Sequence, residues 1–181
     1  MKGIVIDGSL RDQSRTATMA TVVQDLLSRQ IPTQLVTARS HNLPALTERA
    51  TAALSSEHAA LAHATLVVLV SPILNAGASG LLKLYLDAMP RKGLDGKVVG
   101  LVATAGSPYH SLAMWHSLAP ILDSMGASHV ARGVTFTAEE TPLPYSLSAS
   151  NCERLERSLH QLVHMAATQN SLHALRGGEY R

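Results

Sequence analysis

Near its start the chain reads Gly8-Ser9-Leu10-Arg11-Asp12-Gln13-Ser14-Arg15-Thr16, a run crowded with hydrogen-bond donors. Ser9, Ser14 and Thr16 carry short hydroxyls. Arg11 carries a planar fork that matches paired phosphate oxygens. The run follows an apolar stretch and opens a helical pattern, so it belongs at a helix N-terminus. There, unpaired amides and the positive end of the helix dipole favour an anion. The plainer alternative is a polar loop ending in a Ser or Thr cap; position and crowding of donors favour phosphate. The run is not a P-loop, because no Gly-Lys-Ser/Thr triplet ends it, and it lacks the Gly-x-Gly-x-x-Gly spacing of a dinucleotide loop.

Two further stretches belong beside it. Ser71-Pro72-Ile73-Leu74-Asn75-Ala76-Gly77-Ala78-Ser79-Gly80 is rich in small residues that let a flat ring approach the backbone. Ile73 and Leu74 can give such a ring apolar contact; the alternative is a plain turn. In Thr104-Ala105-Gly106-Ser107-Pro108-Tyr109-His110, exposed amides can bond the ring's polar edge. His110 is placed at the opening of the next helix, where a lone His more often caps or packs than moves protons. His160 and His164 lie four apart on a predicted helix, but no carboxylate at fixed spacing joins them, so a solvated or interface face is the better reading than a metal site. No Gly-x-Ser-x-Gly elbow occurs, and the single cysteine, Cys152, lies outside these loops. No catalytic side chain and no metal site are therefore expected, and the hard chemistry falls to a cofactor.

The elements that position these loops follow from hydrophobic periodicity. Strands are expected at Gly3–Ile6, Gln34–Thr37, Leu66–Val70, Val98–Ala103 and His129–Val134. Helices are expected at Arg15–Arg29, Glu48–His63, Gly80–Met89, Ser111–Met125 and Ser148–Ala167. Leu66-Val67-Val68-Leu69-Val70 is apolar throughout, as a strand buried on both faces must be. Strict alternation of strand and helix implies parallel crossovers and a three-layer α/β sandwich. Five strands fit the flavodoxin-like order 2-1-3-4-5 better than a six-stranded dinucleotide fold. Ligands of such sheets bind at the carboxyl ends of the strands, here between the first and third. One domain, residues 1–175, is expected, with a polar tail at 176–181.

Composition narrows the function classes. The 181 residues are 46% apolar but only 3% aromatic, so Leu, Val, Ile, Ala and Met must build the core. Formal net charge is +2, with basic residues scattered; no basic run or aromatic interleaving marks a nucleic-acid surface. No segment approaches the roughly 18 apolar residues of a membrane helix, and the N-terminal apolar run is too short for a signal peptide. A cytoplasmic location is the expectation, without nucleic-acid or membrane partners.

The three loops together resemble the NADPH-dependent FMN reductase family. Gly8-Ser9-x-Arg11-x-x-Ser14-Arg15-Thr16 is similar to its FMN-phosphate motif. Ser71-Pro72 through Ser79-Gly80-Leu81-Leu82-Lys83 and Leu86-Asp87 resembles its segment beneath the isoalloxazine ring, and Gly96-Lys97-Val98-Val99 through Ala103-Thr104-Ala105-Gly106-Ser107 and His110 resembles its fourth strand and flavin-edge loop. The likeness spans roughly residues 3–135 and is nearest to reductases of alkanesulfonate and methanesulfonate two-component monooxygenase systems. It implies FMN held by Ser9, Arg11, Ser14, Arg15, Thr16, Pro72, Ile73, Leu74, Asn75, Thr104, Ala105, Gly106 and Ser107. It also implies NADPH or NADH as hydride donor, a homo-oligomer (dimer or tetramer), and a flavin-dependent monooxygenase as a partner. His116 falls where relatives carry an aromatic or His residue at a subunit contact.

One departure stands out. Many relatives read Pro-x-Tyr-Lys/Arg/His-x-Ser in the third-strand loop, where this chain has Leu74, Asn75 and Gly77. The lost aromatic and cation imply weaker flavin binding or altered substrate choice. Two alternatives to an FMN reductase stay open: an FMN-retaining quinone, azo or metal reductase, and a flavodoxin-like binding subunit without redox activity.

Overall fold

The structure, a computed structural model, describes residues 1–41 and 55–178. β1 (Gly3–Asp7) is buried along its whole length. Ile4 and Ile6 enter one core cluster and Val5 the other, the alternation that a strand covered on both faces requires. α1 (Arg15–Ser28) starts where the Ser14 side chain accepts the Ala17 N–H, and it turns Met19, Ala20, Val23 and Leu27 inward. β2 (Thr33–Thr37) is a partly exposed edge, followed by a 3₁₀ turn at Ala38–Ser40.

α2 (Ser55–Ala62) leads to β3 (Leu66–Leu74), which ends in a hairpin with the short β4 (Gly77–Ala78). The first residues of the expected helix Glu48–His63 lie outside the described residues. α3 (Gly80–Asp87) is capped by Ser79, β5 (Val98–Ala105) is wholly buried, and α4 (Ala113–Ser124) follows a 3₁₀ turn at Pro108–His110. β6 (His129–Val130), β7 (Val134–Thr137) and α5 (Ala149–Gly178) complete the chain.

The sheet order is β2-β1-β3-β5-β6, with β7 also on β5 and β4 antiparallel to β3. The other strand pairings among the described residues are parallel, apart from an isolated antiparallel bridge between Asp95 and Ala127. Leu82, Leu86, Met114, Leu118 and Leu122 of α3 and α4 cover one face. Residues of α1 and α5, among them Met19, Leu27, Leu155 and Leu159, cover the other. This is the expected flavodoxin-like sandwich. Among the described residues no helix is long and apolar enough to cross a membrane.

Several boundaries differ from the sequence reading. β3 runs on to Leu74 instead of stopping at Val70, because Ser71 to Leu74 continue the ladder on β5 and then on β4. His110 does not open α4; it closes the 3₁₀ turn before it. The last helix passes Ala167 and continues to Gly178, into the segment read as tail.

The fifth strand, expected as continuous from His129 to Val134, is broken. Val99 pairs with Val130 but Val102 pairs with Val134, so one extra residue is inserted, as in a β-bulge. Gly133 sits at the insertion, where a Cβ would lie 1.6 Å from the Leu101 carbonyl oxygen. No side chain fits there without moving two strands. Gly133→Ala is expected to destabilise the fold by about 3 kcal/mol. A thermal melt should drop by roughly 6–12 °C; an unchanged melt would show that the bulge tolerates a side chain.

Candidate cofactor-binding site

The parallel register brings the loops after β1, β3 and β5 to one edge of the sheet. Gly8 is where the first two meet. Its N–H donates to the Val70 carbonyl at 2.8 Å, and its carbonyl accepts the Ser79 hydroxyl at 2.7 Å. Ser79 also accepts the Leu82 N–H at 3.1 Å and so caps α3, while its own N–H donates to the Ser71 hydroxyl at 2.9 Å. A Cβ on Gly8 would lie 2.8 Å from the Leu82 Cβ. The absent side chain is what lets the first loop lie on the start of α3. The third loop joins through Thr16 and Thr104, whose buried hydroxyls are 2.6 Å apart.

The run from Gly8 to Thr16 is a closed turn at the start of α1. Ser14 accepts the Ala17 N–H at 3.2 Å and donates to the Arg11 carbonyl at 2.9 Å, closing the turn that launches α1. Among the described residues, no hydrogen bond engages the N–H groups from Leu10 to Thr16. Arg11 is exposed at the mouth of this turn. Arg15 is half-buried; its Nε donates to the Thr141 carbonyl at 3.3 Å and its guanidinium lies over the Tyr145 ring.

The remaining predicted residues divide. Ser9 is buried; its N–H donates to Asp7 and its hydroxyl oxygen accepts from Arg39 Nη1. Pro72 is half-buried, and Ile73 packs in the core cluster that also takes in Leu82, Ala105 and Met114. Leu74 and Asn75 stand exposed at the tip of the β3–β4 hairpin. Asn75 and Ala76 take φ values of 48° and 60°, the two successive positive angles of a type I′ turn. Thr104 and Ala105 are buried at the end of β5; Gly106 is exposed, and Ser107 caps the 3₁₀ turn through the Tyr109 N–H.

Two functional-looking residues were not read from the sequence: Asp7 and Arg39. Asp7 ends β1 and is buried, and Arg39 Nη1 donates to its Oδ2. Arg39 Nε donates to Asp12 Oδ1 at 2.5 Å. Burial opposes the charge on Arg39, yet the hydrogen bonds and charges of Asp7 and Asp12 outweigh it and raise its pKa above the ordinary value. The sequence held a signal: an acid ending an apolar strand needs a cation, and parallel pairing of Asp7 with Thr37 delivers Arg39.

A cavity of about 280 Å³ borders this pair, lined by Asp12, Thr18, Thr37 and Arg39 among others. A larger one, about 380 Å³, lies between α4 and the β7 edge, lined by Leu112, Trp115, Arg132 and Arg154. Neither is the largest, since one of about 500 Å³ lies between α1 and α5, lined by Leu26, Arg29, Glu156 and His160 among others; the donor-rich loops are brought together by the strand register and not by any of these cavities. Among the described residues no cluster of His, Cys, Asp or Glu could hold a metal ion.

The chain is 29% identical over 165 residues to the NADH-dependent FMN reductase SfnF of Pseudomonas putida, covering 86% of this chain and 88% of that protein. It is 38% identical over 68 residues to an FMN reductase (NADPH) of Escherichia coli K12, a match covering 38% of this chain and 36% of the relative. It thus spans little more than a third of that relative's length. The crystal structure of an NADH:FMN oxidoreductase, EMOB, in its apo form superposes with a TM-score of 0.77 at 27% identity, covering 89% of this chain and 87% of that one. The model of the NADPH-dependent FMN reductase family matches residues 1–141. With this match over most of its length and the flavodoxin-like sheet, the chain belongs to the NADPH-dependent FMN reductase family.

Proposed function

We propose that the protein is an NAD(P)H-dependent FMN reductase. The observation that carries the reading is the row of unengaged amides from Leu10 to Thr16 at the start of α1, beside Arg11, at the switch point between β1 and β3. These groups fit the dianionic phosphate of FMN, because amides and a guanidinium replace water around an anion without adding negative charge. The names of SfnF and EMOB support the substrate pair. FMN, when bound, supplies a ring that takes a hydride from the nicotinamide.

The chain's own residues bind and orient. Ser14 and the free amides hold the phosphate end, with Arg11 closing over it and Arg15 beside the cradle. Thr16 and Thr104 tie the phosphate loop to the rim of the ring site, so the two ends of the ligand are set by one hydrogen bond. Pro72, Leu74 and Asn75 border the ring on one side, and Ala105, Gly106 and Ser107 on the other. No side chain is required to move a proton.

The assembly is a homo-oligomer with α3 and α4 as its contact elements. Leu112, 49% exposed just before α4, and exposed His116 within it support that surface. The reduced flavin serves a partner monooxygenase, and the protein works in the cytoplasm.

Purified protein should oxidise NADH or NADPH only when FMN is added, followed by nicotinamide absorbance. Turnover that needs no added flavin and runs on a quinone would replace this reading with a flavin-retaining reductase. Arg11→Ala is expected to raise KM for FMN by about tenfold or more, with kcat little changed; an unchanged KM would remove Arg11 from the phosphate site. Leu74→Tyr is expected to tighten flavin binding by roughly threefold to tenfold, by restoring ring contact. Equal affinity in a fluorescence titration would place the ring elsewhere.

A further inference from the structure

Asp7 is 2% exposed at the carboxyl end of β1, a depth at which an unpaired carboxylate is costly. Two donors answer it. The Ser9 N–H gives to Oδ1 at 2.8 Å, and Arg39 Nη1 gives to Oδ2. That Arg39 nitrogen also donates to the Ser9 hydroxyl, and Nε donates to Asp12 Oδ1. One guanidinium therefore grips the phosphate-type run at Ser9 and again at Asp12. It comes from the 3₁₀ turn after the neighbouring strand, so it ties two loops that are far apart in sequence.

None of these bonds uses the N–H groups from Leu10 to Thr16, which stay free for a ligand. The charges matter as much as the shape. Asp7 and Asp12 place two carboxylates in or under the loop that must receive a phosphate, and Arg39 is paired with both. Without it, two uncompensated acids would face a dianion.

We infer that Arg39 is a positioning residue for phosphate recognition: it fixes the Ser9–Asp12 segment in its amide-presenting shape, offsets Asp7 and Asp12, and so makes the site select a phosphorylated flavin over riboflavin. This rests on the FMN reading proposed above. A purely structural role, confined to satisfying Asp7, makes a different forecast. Any substitution that leaves Asp7 satisfied would then leave the preference for phosphate intact.

The experiment measures Kd for FMN and for riboflavin by quenching of flavin fluorescence, on the whole chain. Two variants separate the roles. Arg39→Lys keeps a cation for Asp7 but cannot span Ser9 and Asp12 together. Asp7→Asn combined with Arg39→Gln removes both buried charges and so spares the fold the cost of an orphaned carboxylate. Both are expected to lower the FMN-to-riboflavin affinity ratio by about tenfold or more, with riboflavin affinity and melting temperature close to those of the unaltered chain. A ratio that survives in the variants, or affinities that fall in parallel for both flavins, overturns the role of Arg39 alone. No preference for FMN in the unaltered chain overturns both this inference and the functional reading beneath it.

Discussion

The site depends on one close approach, that of Gly8 to the first turn of α3. The strand ends of β1 and β3 are neighbours, so the chain leaving β1 must cross the start of the helix that follows β3. There is no room for a side chain at the crossing, where a Cβ would meet Leu82 at 2.8 Å. The Ser79 hydroxyl then fastens the contact by donating to the Gly8 carbonyl and capping α3 at once. From that anchor the run to Ser14 has a fixed origin and α1 has a fixed start. A methyl at Gly8 would displace the cradle as a unit, without touching a ligand.

Electrostatics supply the second constraint. A donor-rich turn at a helix N-terminus attracts anions, yet this one contains Asp12 and stands over buried Asp7. The ion pairs with Arg39 convert what would be a repulsive floor into a braced one. Such a device suits a protein that must bind a phosphate without gripping it permanently, since only part of the local positive charge is left for the ligand.

Much of this was legible in the sequence, for physical reasons that can be named. β1, β3 and β5 are buried on both faces and read as continuous apolar runs. α1 announces itself through Ser14 and the spacing of Met19, Val23 and Leu27. The phosphate-type run was visible because hydroxyls and a guanidinium crowd where a strand gives way to a helix. The parts that stayed hidden are governed by tertiary contacts. Ser71 to Leu74 look like a loop because Ser and Pro are poor strand formers, but β5 holds Ser71 and Pro72 extended and β4 holds Ile73 and Leu74. The broken fifth strand follows from Gly133 pressing on a carbonyl of the adjacent strand, a contact no local pattern announces. Arg39 lies well away from Asp7 in sequence, and only the register of β1 on β2 joins them.

The central claim is that the turn from Leu10 to Thr16 receives the phosphate of FMN. A crystal structure of the FMN complex tests it most directly. The account predicts phosphate oxygens within hydrogen-bond distance of several of these amides, with the Arg11 side chain drawn in from solvent. A flavin whose phosphate lies elsewhere, for instance in the cavity beside Arg132 and Arg154, would contradict it.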